Sequence, residues 1–201
     1  MLLIFDLDGT LVDSKAGILS SLSQALFKIT GEKKVISKLP IGPPISEMTK
    51  KILPDATPEI IAAVVAQFRS EYDERGWKEY CLYPTVQETL AKLSQTHTLS
   101  IATNKPEKPT EKILKNSGLK PFFRDVFCHG STNFTDKKEM LRLLVTQSSQ
   151  TAIMIGDSLD DLAAAKYNDI PFIYCSYGYG VIPPPQIKCS ITKFKTLLLT
   201  F

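Results

Sequence analysis

The chain of 201 residues contains few of the side chains that usually hold transition metals or form disulfide frameworks. Its four cysteines show none of the spacings typical of zinc sites, which predicts reduced thiols in a cytoplasmic protein. The two histidines, His97 and His129, stand far apart without a surrounding motif. We therefore expect neither a Cys/His metal site nor a histidine-based active site.

Long apolar runs and strong charge of one sign are also lacking. No apolar segment approaches the length of a membrane span, and the strand-like segment that begins at Met1 predicts no N-terminal targeting peptide. The net charge is only +3, and the lysines are scattered and not interleaved with aromatic residues. The sequence predicts neither a membrane nor a nucleic-acid partner, and it indicates no oligomeric state.

The chain does contain enough apolar material for a sizeable core, since 43% of its residues are hydrophobic and 22% are charged. Short apolar runs predict strands at 2–6, 98–103, 125–128, 151–155 and 171–175. Between them, apolar residues recur at three- and four-residue spacing, which predicts helices. Strands alternating with helices favour an α/β fold with a Rossmann-like parallel sheet covered on both faces.

Residues 15–82 interrupt this alternation and predict three helices without a strand. One amphipathic stripe consists of Ile18, Leu19, Leu22, Ala25, Leu26 and Ile29. A later helix is predicted to begin with Thr57 as its N-cap and Pro58 at its first position. We therefore expect an α-helical subdomain at 15–82, inserted after the first strand of an α/β core formed by 1–14 and 83–201.

Two clusters of acidic residues follow buried-looking strands. Asp6 follows Leu-Ile-Phe in the segment LLIFDLDGTLVDS (2–14), and Asp157 follows a second apolar run in IMIGDSLDD (153–161). An ionised carboxylate at such a position is costly unless a cation or dense hydrogen bonding compensates for it. Because parallel strands bring their carboxyl ends to one edge, the two clusters and Thr103 are predicted to share a site. Oxygen ligands of this kind favour Mg²⁺.

Four segments together resemble the motifs of the haloacid dehalogenase-like hydrolases, a superfamily of mostly Mg²⁺-dependent phosphatases. In chain order they are DLDGTLVDS (6–14), IATNKP (101–106), TDKKEML (135–141) and IMIGDSLDDLAAA (153–165). The helical insert after the first motif resembles the cap of the phosphoglycolate phosphatase-like branch. The resemblance covers the whole chain and implies a phosphatase acting on a small phosphorylated metabolite.

The resemblance implies a role for each matching residue. Asp6 is expected to be the nucleophile that forms an aspartyl-phosphate, which divides one difficult hydrolysis into two easier steps. Asp8 is expected to protonate the leaving alkoxide and then to activate the attacking water. The Thr103 hydroxyl and the backbone N–H of Asn104 are expected to hold phosphoryl oxygens.

The same resemblance implies the ligands of the metal ion. Mg²⁺ is expected to bind the side chains of Asp6 and Asp157 and the backbone carbonyl of Asp8. Asp161, one helical turn after Asp157, is expected to support the site through hydrogen bonds or water. Asp160 is the alternative residue for this supporting role, but it is interpreted rather as a solvated neighbour.

One lysine of the third motif is expected to neutralise the phosphoryl group. The spacing of the family points to Lys137, and helical geometry agrees. If Thr135 is the N-cap, Lys137 lies within roughly 10° of the centre of the helix's apolar stripe, whereas Lys138 lies about 90° away. Lys137 is thus predicted to point inward, and Lys138 to be a surface lysine.

Other interpretations remain open. The segment YGYG (177–180) has no suitable helix after it and is interpreted as an ordinary surface loop. Asp8 argues against a dehalogenase, which lacks this acid. A sugar phosphomutase keeps both aspartates and a similar cap, so the first motif does not exclude it. A catalytically silent phosphate-binding module is the other alternative, and the four intact motifs argue against it. The substrate is not predicted, since phosphoglycolate, pyrophosphate, nucleoside monophosphates and sugar phosphates all fit the pattern.

Overall fold

The computed structural model describes residues 1–36, 39, 41–42, 44–130 and 136–201. Its strands are β1 (Leu2–Phe5), β2 (Val12–Asp13), β3 (Cys81–Leu82), β4 (Thr98–Pro106), β5 (Asp125–His129), β6 (Ala152–Gly156), β7 (Phe172–Cys175) and β8 (Ser190–Ile191). Its α-helices are α1 (Lys15–Thr30), α2 (Ile45–Ile52), α3 (Pro58–Glu74), α4 (Val86–Leu93), α5 (Glu107–Asn116), α6 (Lys137–Thr146), α7 (Leu159–Tyr167) and α8 (Leu197–Thr200). Among these helices, none is both long and apolar enough to cross a membrane.

Contacts between residues divide the chain into two units. The α/β unit consists of Met1–Asp13 and Cys81–Phe201, and the helical unit consists of Ser14–Tyr80. The helical unit ends before the 82 expected from the sequence because Cys81 and Leu82 form β3, which pairs with β2 in the α/β unit.

The α/β unit is built on a six-stranded sheet in the order β5-β4-β1-β6-β7-β8, and every neighbouring pair is parallel. The strand β1 lies between β4 and β6. The chain first forms β4 and β5 on one side of β1 and later forms β6, β7 and β8 on the other side. Ligands of open α/β sheets bind at such a switch point, beyond the carboxyl ends of the strands. The predicted α/β fold with a Rossmann-like parallel sheet is confirmed.

Both faces of the central strand are covered, which explains its uninterrupted apolar sequence. Leu2 and Ile4 belong to a buried cluster with Met140 of α6 and Met154 of β6. On the other face, the Phe5 ring lies with its centroid 6.1 Å from that of Phe123 and 5.9 Å from that of Phe194. Burying one such side chain contributes about 1.5–3 kcal/mol, so β1 is held firmly at the centre of the unit.

The helical unit forms largely as its sequence predicts. The Thr57 hydroxyl accepts a hydrogen bond from Ile60 N–H at 3.5 Å, and Pro58 opens α3, as predicted. In α1, Leu22 and Leu26 are fully buried, but Ile29 is 38% exposed. Ile29 is the last residue of the predicted stripe and lies one residue before the end of α1 at Thr30.

The first and last segments of the helical unit touch each other. Gly17 N–H donates to the Glu79 carbonyl oxygen at 3.2 Å. A Cβ added at Gly17 would lie 2.1 Å from the carbonyl oxygen of Gly76, so only glycine permits this approach. The helical unit therefore closes on itself at its two ends.

Candidate active site

The carboxyl ends of the three central strands carry the predicted site residues. Asp6 follows β1, Asp157 follows β6, and Thr103 lies near the end of β4. Asp6 N–H donates to the Ile155 carbonyl oxygen at 2.9 Å, which continues the ladder between β1 and β6 past the last residue of β1. Asp6, Asp157 and Thr103 are all buried. The parallel sheet thus places these polar side chains at one edge, shielded from water.

Three of the aspartates form a compact carboxylate cluster. Asp6, Asp157 and Asp161 are buried, and each offers an oxygen within 4.8 Å of the oxygens of the other two. Asp161 is oriented by a capping box at the start of α7, in which the hydroxyl and N–H of Ser158 donate to its Oδ2 at 2.6 and 2.9 Å. The side chain of Asp8 is not part of this cluster.

Lys137 lies against this cluster. Its Nζ is 2.8 Å from Asp6 Oδ1 and 2.5 Å from Asp161 Oδ1, and its side chain is 3% exposed. Lys138 is only partly buried, and its Nζ lies 5.8 Å from the centre of the Tyr167 ring. The predicted inward orientation of Lys137 is therefore confirmed.

The beginning of α6 differs by one residue from the prediction. The N-cap is Asp136, whose side chain accepts a hydrogen bond from Glu139 N–H at 3.0 Å, and Lys137 is the first helical residue. The prediction of Thr135 as N-cap is wrong in that respect, and Thr135 itself lies outside the described residues. A lysine at a helix N-terminus opposes the helix dipole, so Asp6 and Asp161 must provide the compensating charge.

The cluster carries more negative than positive charge. Three carboxylates face one ammonium group, which gives a formal charge of −2 when all are ionised. Burial raises the pKa of Asp6 to about 8, with Asp161 and Asp157 acting in the same direction and Lys137 opposing them. Burial and Asp161 likewise raise the pKa of Asp157 to about 6. Burial alone would lower the pKa of Lys137, but Asp161 and Asp6 raise it above its ordinary value.

A hard divalent cation fits this arrangement. Asp6 uses Oδ1 for Lys137, and Asp157 uses Oδ2 for two backbone amides. Within the described part of the chain, the second oxygen of each carboxylate accepts no hydrogen bond. Two buried oxygens of this kind, beside carboxylates whose formal charge is −2 when all are ionised, match the oxygen coordination and charge of Mg²⁺.

The loop that holds Asp157 is the segment YGYG, and its interpretation as an ordinary surface loop is wrong. Tyr179 N–H and Gly180 N–H donate to Asp157 Oδ2 at 2.6 and 3.1 Å. A Cβ at Gly178 would lie 2.4 Å from both Asp157 Cβ and the Gly9 carbonyl oxygen, so the loop packs directly against the site. The alternation of glycine and tyrosine was the available signal, because a residue without a side chain permits such an approach.

Two tyrosines of the same loop tie it to the segment after β1. The Tyr177 hydroxyl donates to the Thr10 carbonyl oxygen, and the Tyr179 hydroxyl donates to Asp13 Oδ1, both at 2.8 Å. The rings of Tyr177 and Tyr83 lie with their centroids 4.7 Å apart. The hydroxyl groups of Tyr177 and Tyr179 thus hold the loop in the position from which its backbone amides reach Asp157.

Asp8 has a partner that the sequence interpretation missed. Lys105 Nζ lies 3.0 and 2.9 Å from the two carboxylate oxygens of Asp8. The lysine side chain is only 4% exposed, whereas that of Asp8 is 21% exposed. The available signal was a lysine directly after Thr103-Asn104, at the edge of the sheet where the acids collect.

The two predicted phosphoryl-binding residues, Thr103 and Asn104, differ in the exposure of their side chains. Thr103 is buried, and its hydroxyl accepts a hydrogen bond from Lys105 N–H at 3.2 Å. The Asn104 side chain is exposed and donates to Asp160 Oδ2 at 2.5 Å. The structure thus brings Asn104 to Asp160, an exposed residue outside the carboxylate cluster.

Comparison with known proteins adds independent findings. A family model for haloacid dehalogenase-like hydrolases matches residues 3–175. A phosphoglycolate phosphatase from Vibrio cholerae is 32% identical over 195 residues, which cover 89% of this chain and 85% of that protein. The tyrosine-protein kinase PtkA from Mycobacterium tuberculosis is 32% identical over 189 residues, which cover 89% of this chain and 63% of that protein.

A solved structure agrees with these sequence matches. A haloacid dehalogenase-like hydrolase from Streptococcus pneumoniae has a TM-score of 0.86 and 25% sequence identity, covering 99% of this chain and 97% of the other. The segment matched by the family model includes every residue of the carboxylate cluster, as well as Lys137, and stops just before the loop at Tyr177.

Proposed function

Because the chain belongs to the haloacid dehalogenase-like hydrolase family, we propose that it is a Mg²⁺-dependent phosphatase acting on a small phosphorylated metabolite. The observation that carries the proposal is the Asp6 carboxylate, which lies at the end of the central strand with Lys137 Nζ 2.8 Å from its Oδ1. Such a lysine can neutralise a phosphoryl group arriving at Asp6. Phosphoryl transfer requires mainly this kind of positioning and charge neutralisation.

In the first step, a carboxylate oxygen of Asp6 attacks phosphorus and the bond to the leaving oxygen breaks. The carboxyl group of Asp8 gives its proton to that leaving oxygen. In the second step, Asp8 takes a proton from water, which attacks the aspartyl-phosphate and restores Asp6. The Thr103 hydroxyl and the backbone N–H of Asn104 are proposed to hold phosphoryl oxygens through both steps.

The residues proposed to hold the metal ion are Asp6, Asp157 and the backbone carbonyl of Asp8. When bound, Mg²⁺ supplies positive charge that draws the phosphoryl oxygens towards the nucleophile. Asp161 is proposed to support the site from behind through Lys137 and Ser158, whose hydrogen bonds occupy both of its oxygens.

The finer assignment is a phosphoglycolate-like phosphomonoester, supported by the Vibrio cholerae relative. The helical unit is proposed to act as the cap that selects the leaving group. A sugar phosphomutase would need the same two aspartates and is the second candidate within the family, and a catalytically silent phosphate-binding module is the third.

Asp6→Asn tests the covalent mechanism. Turnover of p-nitrophenyl phosphate with Mg²⁺ should fall more than about 100-fold, equivalent to about 2.7 kcal/mol in barrier, because an amide is a poor nucleophile. Asp136→Asn is the matched control, since asparagine also caps helices, and it should keep near wild-type turnover. Retention of more than a hundredth of the wild-type rate by Asp6→Asn would exclude Asp6 as the nucleophile.

A panel of metabolite phosphates then separates the candidates. Release of inorganic phosphate supports the phosphatase, isomerisation without release supports the mutase, and binding without turnover supports the silent module. Inclusion of phosphoglycolate and several sugar phosphates in the panel tests the finer assignment.

A further inference from the structure

Lys105 is a buried cation at the site to which the proposed mechanism gives no role. It lies in β4 within a stretch where the pairing with β5 changes register, between Thr103 and Pro106. Irregularities of this kind recur beside active sites. Thr103 and Lys105 are buried and Asn104 between them is exposed, as the alternation of side chains along a strand predicts, so Lys105 lies on the same side of β4 as Thr103.

The contact between Lys105 and Asp8 involves both carboxylate oxygens, at 3.0 and 2.9 Å from Nζ. One ammonium group bound to both oxygens restricts the position and rotation of the carboxylate. A lysine with a 4% exposed side chain is rare unless it is paired, so the contact is part of the folded structure and not a transient surface pair.

The backbone beside Asp8 is fixed independently of this contact. Gly9 N–H donates to the Val12 carbonyl oxygen at 2.9 Å, and Asp8 forms an isolated bridge with Val12. The backbone hydrogen bonds therefore fix the position of the Asp8 Cα atom, and the contact with Lys105 orients its carboxylate group.

We propose that Lys105 is a positioning residue that holds the carboxyl group of Asp8 where the leaving oxygen is protonated. This inference rests on the proposed function and deepens it. Lys105 gives up no proton in this step: the proton moves from Asp8 to the leaving oxygen as the phosphorus–oxygen bond breaks. A displaced Asp8 would still be an acid, but its proton would no longer lie within hydrogen-bond reach of that oxygen.

The proposal predicts a dependence on the leaving group. A p-nitrophenolate departs without a proton, whereas the benzyl alkoxide needs one. Loss of Lys105 should therefore impair the first step with benzyl phosphate strongly, with phenyl phosphate less, and with p-nitrophenyl phosphate least. A merely structural role would lower all three rates by a similar factor.

The test measures kcat/KM for these three substrates with Mg²⁺, because this ratio reports the steps up to formation of the phosphoenzyme. Lys105→Met keeps the length of the side chain and removes its charge, and Lys115→Met, at an exposed position of α5, is the matched control. We expect Lys105→Met to lose about 100-fold on benzyl phosphate and less than about 5-fold on p-nitrophenyl phosphate. Lys115→Met should match the wild type on all three.

A double variant guards against misfolding and tests whether Lys105 acts through Asp8. Asp8→Asn combined with Lys105→Met removes both charges of this pair, and it should be no slower on benzyl phosphate than Asp8→Asn alone. Melting temperatures are measured for every variant.

Equal losses on all three substrates, unchanged rates for Lys105→Met, or a further loss in the double variant would each overturn the positioning role while the wild type remains a phosphatase. If the wild type releases no phosphate from any of the three substrates, the proposed function fails, and this inference fails with it.

Discussion

The two units of the chain bury charge in different ways. The α/β unit buries Asp6, Asp157, Asp161, Lys105 and Lys137. Among the described residues of the helical unit, the buried charged side chain is Glu71. Its partner Lys28 lies 2.5 Å away with a side chain that is 53% exposed, and Gln67 donates to the same Glu71 oxygen at 2.7 Å.

This difference follows where the proposed catalytic residues lie. Burying an ionised group costs several kcal/mol unless partners compensate, so a unit that holds no cluster of proposed catalytic charges can keep its buried charges few and close to water. In the α/β unit, five buried charges meet at one edge of the sheet. Substitutions there should change metal binding and turnover, whereas a substitution at the Glu71 pair should change stability alone.

The largest effect is expected for Lys137→Ala. Removing its ammonium group leaves Asp6 and Asp161 without their cation and a phosphoryl group without neutralisation, so turnover of p-nitrophenyl phosphate should fall at least about 100-fold. Lys138→Ala, one residue further along α6, should stay near wild type. The reverse pattern would transfer the role to Lys138, and two near-normal variants would remove this lysine from the mechanism.

A smaller effect is expected for Gly178→Ala. The added methyl group would collide with Asp157 and displace the loop whose amides hold it, so the affinity for Mg²⁺ measured by isothermal titration calorimetry should fall about 10- to 100-fold. Gly31→Ala in the helical unit is the control, because a Cβ there meets nothing within 4 Å. Its left-handed backbone should cost stability but leave the affinity unchanged, and equal affinities in all three proteins would show that the loop does not position Asp157.

The next prediction concerns pH. Asp6 in the metal-free fold has a pKa of about 8 against an ordinary value of 3.8, so between these pH values the folded state holds a proton that the unfolded state has lost. The free energy of unfolding of the metal-free protein should therefore fall as pH rises through this range.

Mg²⁺ needs the ionised carboxylate and must displace that proton, so the increase in melting temperature caused by a fixed Mg²⁺ concentration should be larger at pH 8 than at pH 6. Differential scanning fluorimetry measures both values. The Asp6→Asn variant should show a weaker dependence on pH, and an equal increase at both pH values in the wild type would contradict the assignment.

The smallest effect is expected in the helical unit. Lys28→Met removes the half-exposed partner of Glu71, but Gln67 remains, so the free energy of unfolding should fall by about 1 kcal/mol or less. The hydrogen bond from Lys28 is the main cause that lowers the pKa of Glu71, so this contribution is present at neutral pH and is lost as pH falls below about 4.5. Urea titrations measure the change, and a large loss of turnover would break the division between the units.

The sequence allowed prediction where the signal is local or periodic. An apolar run that ends in aspartate specifies a buried strand with an acid at its carboxyl end, and a parallel sheet then brings Asp6 and Asp157 together. The inward direction of Lys137 followed from the period of α6. The cap of α6 was misplaced by one residue because Thr135 and Asp136 can both accept a backbone hydrogen bond, and only the geometry at Glu139 decides between them.

The missed contacts are those that depend on packing between distant segments. Lys105 and Asp8 are 97 residues apart in sequence, and Tyr179 is 22 residues from Asp157. No local pattern states which lysine reaches which carboxylate, or that the loop after β7 folds back onto the site. Both contacts form only when segments that are distant in sequence pack together at the carboxyl edge of the sheet.

The contact between Gly17 and Glu79 has a consequence for how such a chain can be rearranged. The first and last segments of the helical unit are hydrogen-bonded to each other. In the α/β unit, the strands that flank the insert, Val12–Asp13 and Cys81–Leu82, pair with each other as antiparallel strands. A short turn between Asp13 and Cys81 would convert that pair into a hairpin. The six-stranded sheet would keep its order, because none of the described residues of the helical unit belongs to that sheet. The hairpin is therefore a natural splice point, where recombination can exchange one insert for another while the carboxylate cluster is inherited intact.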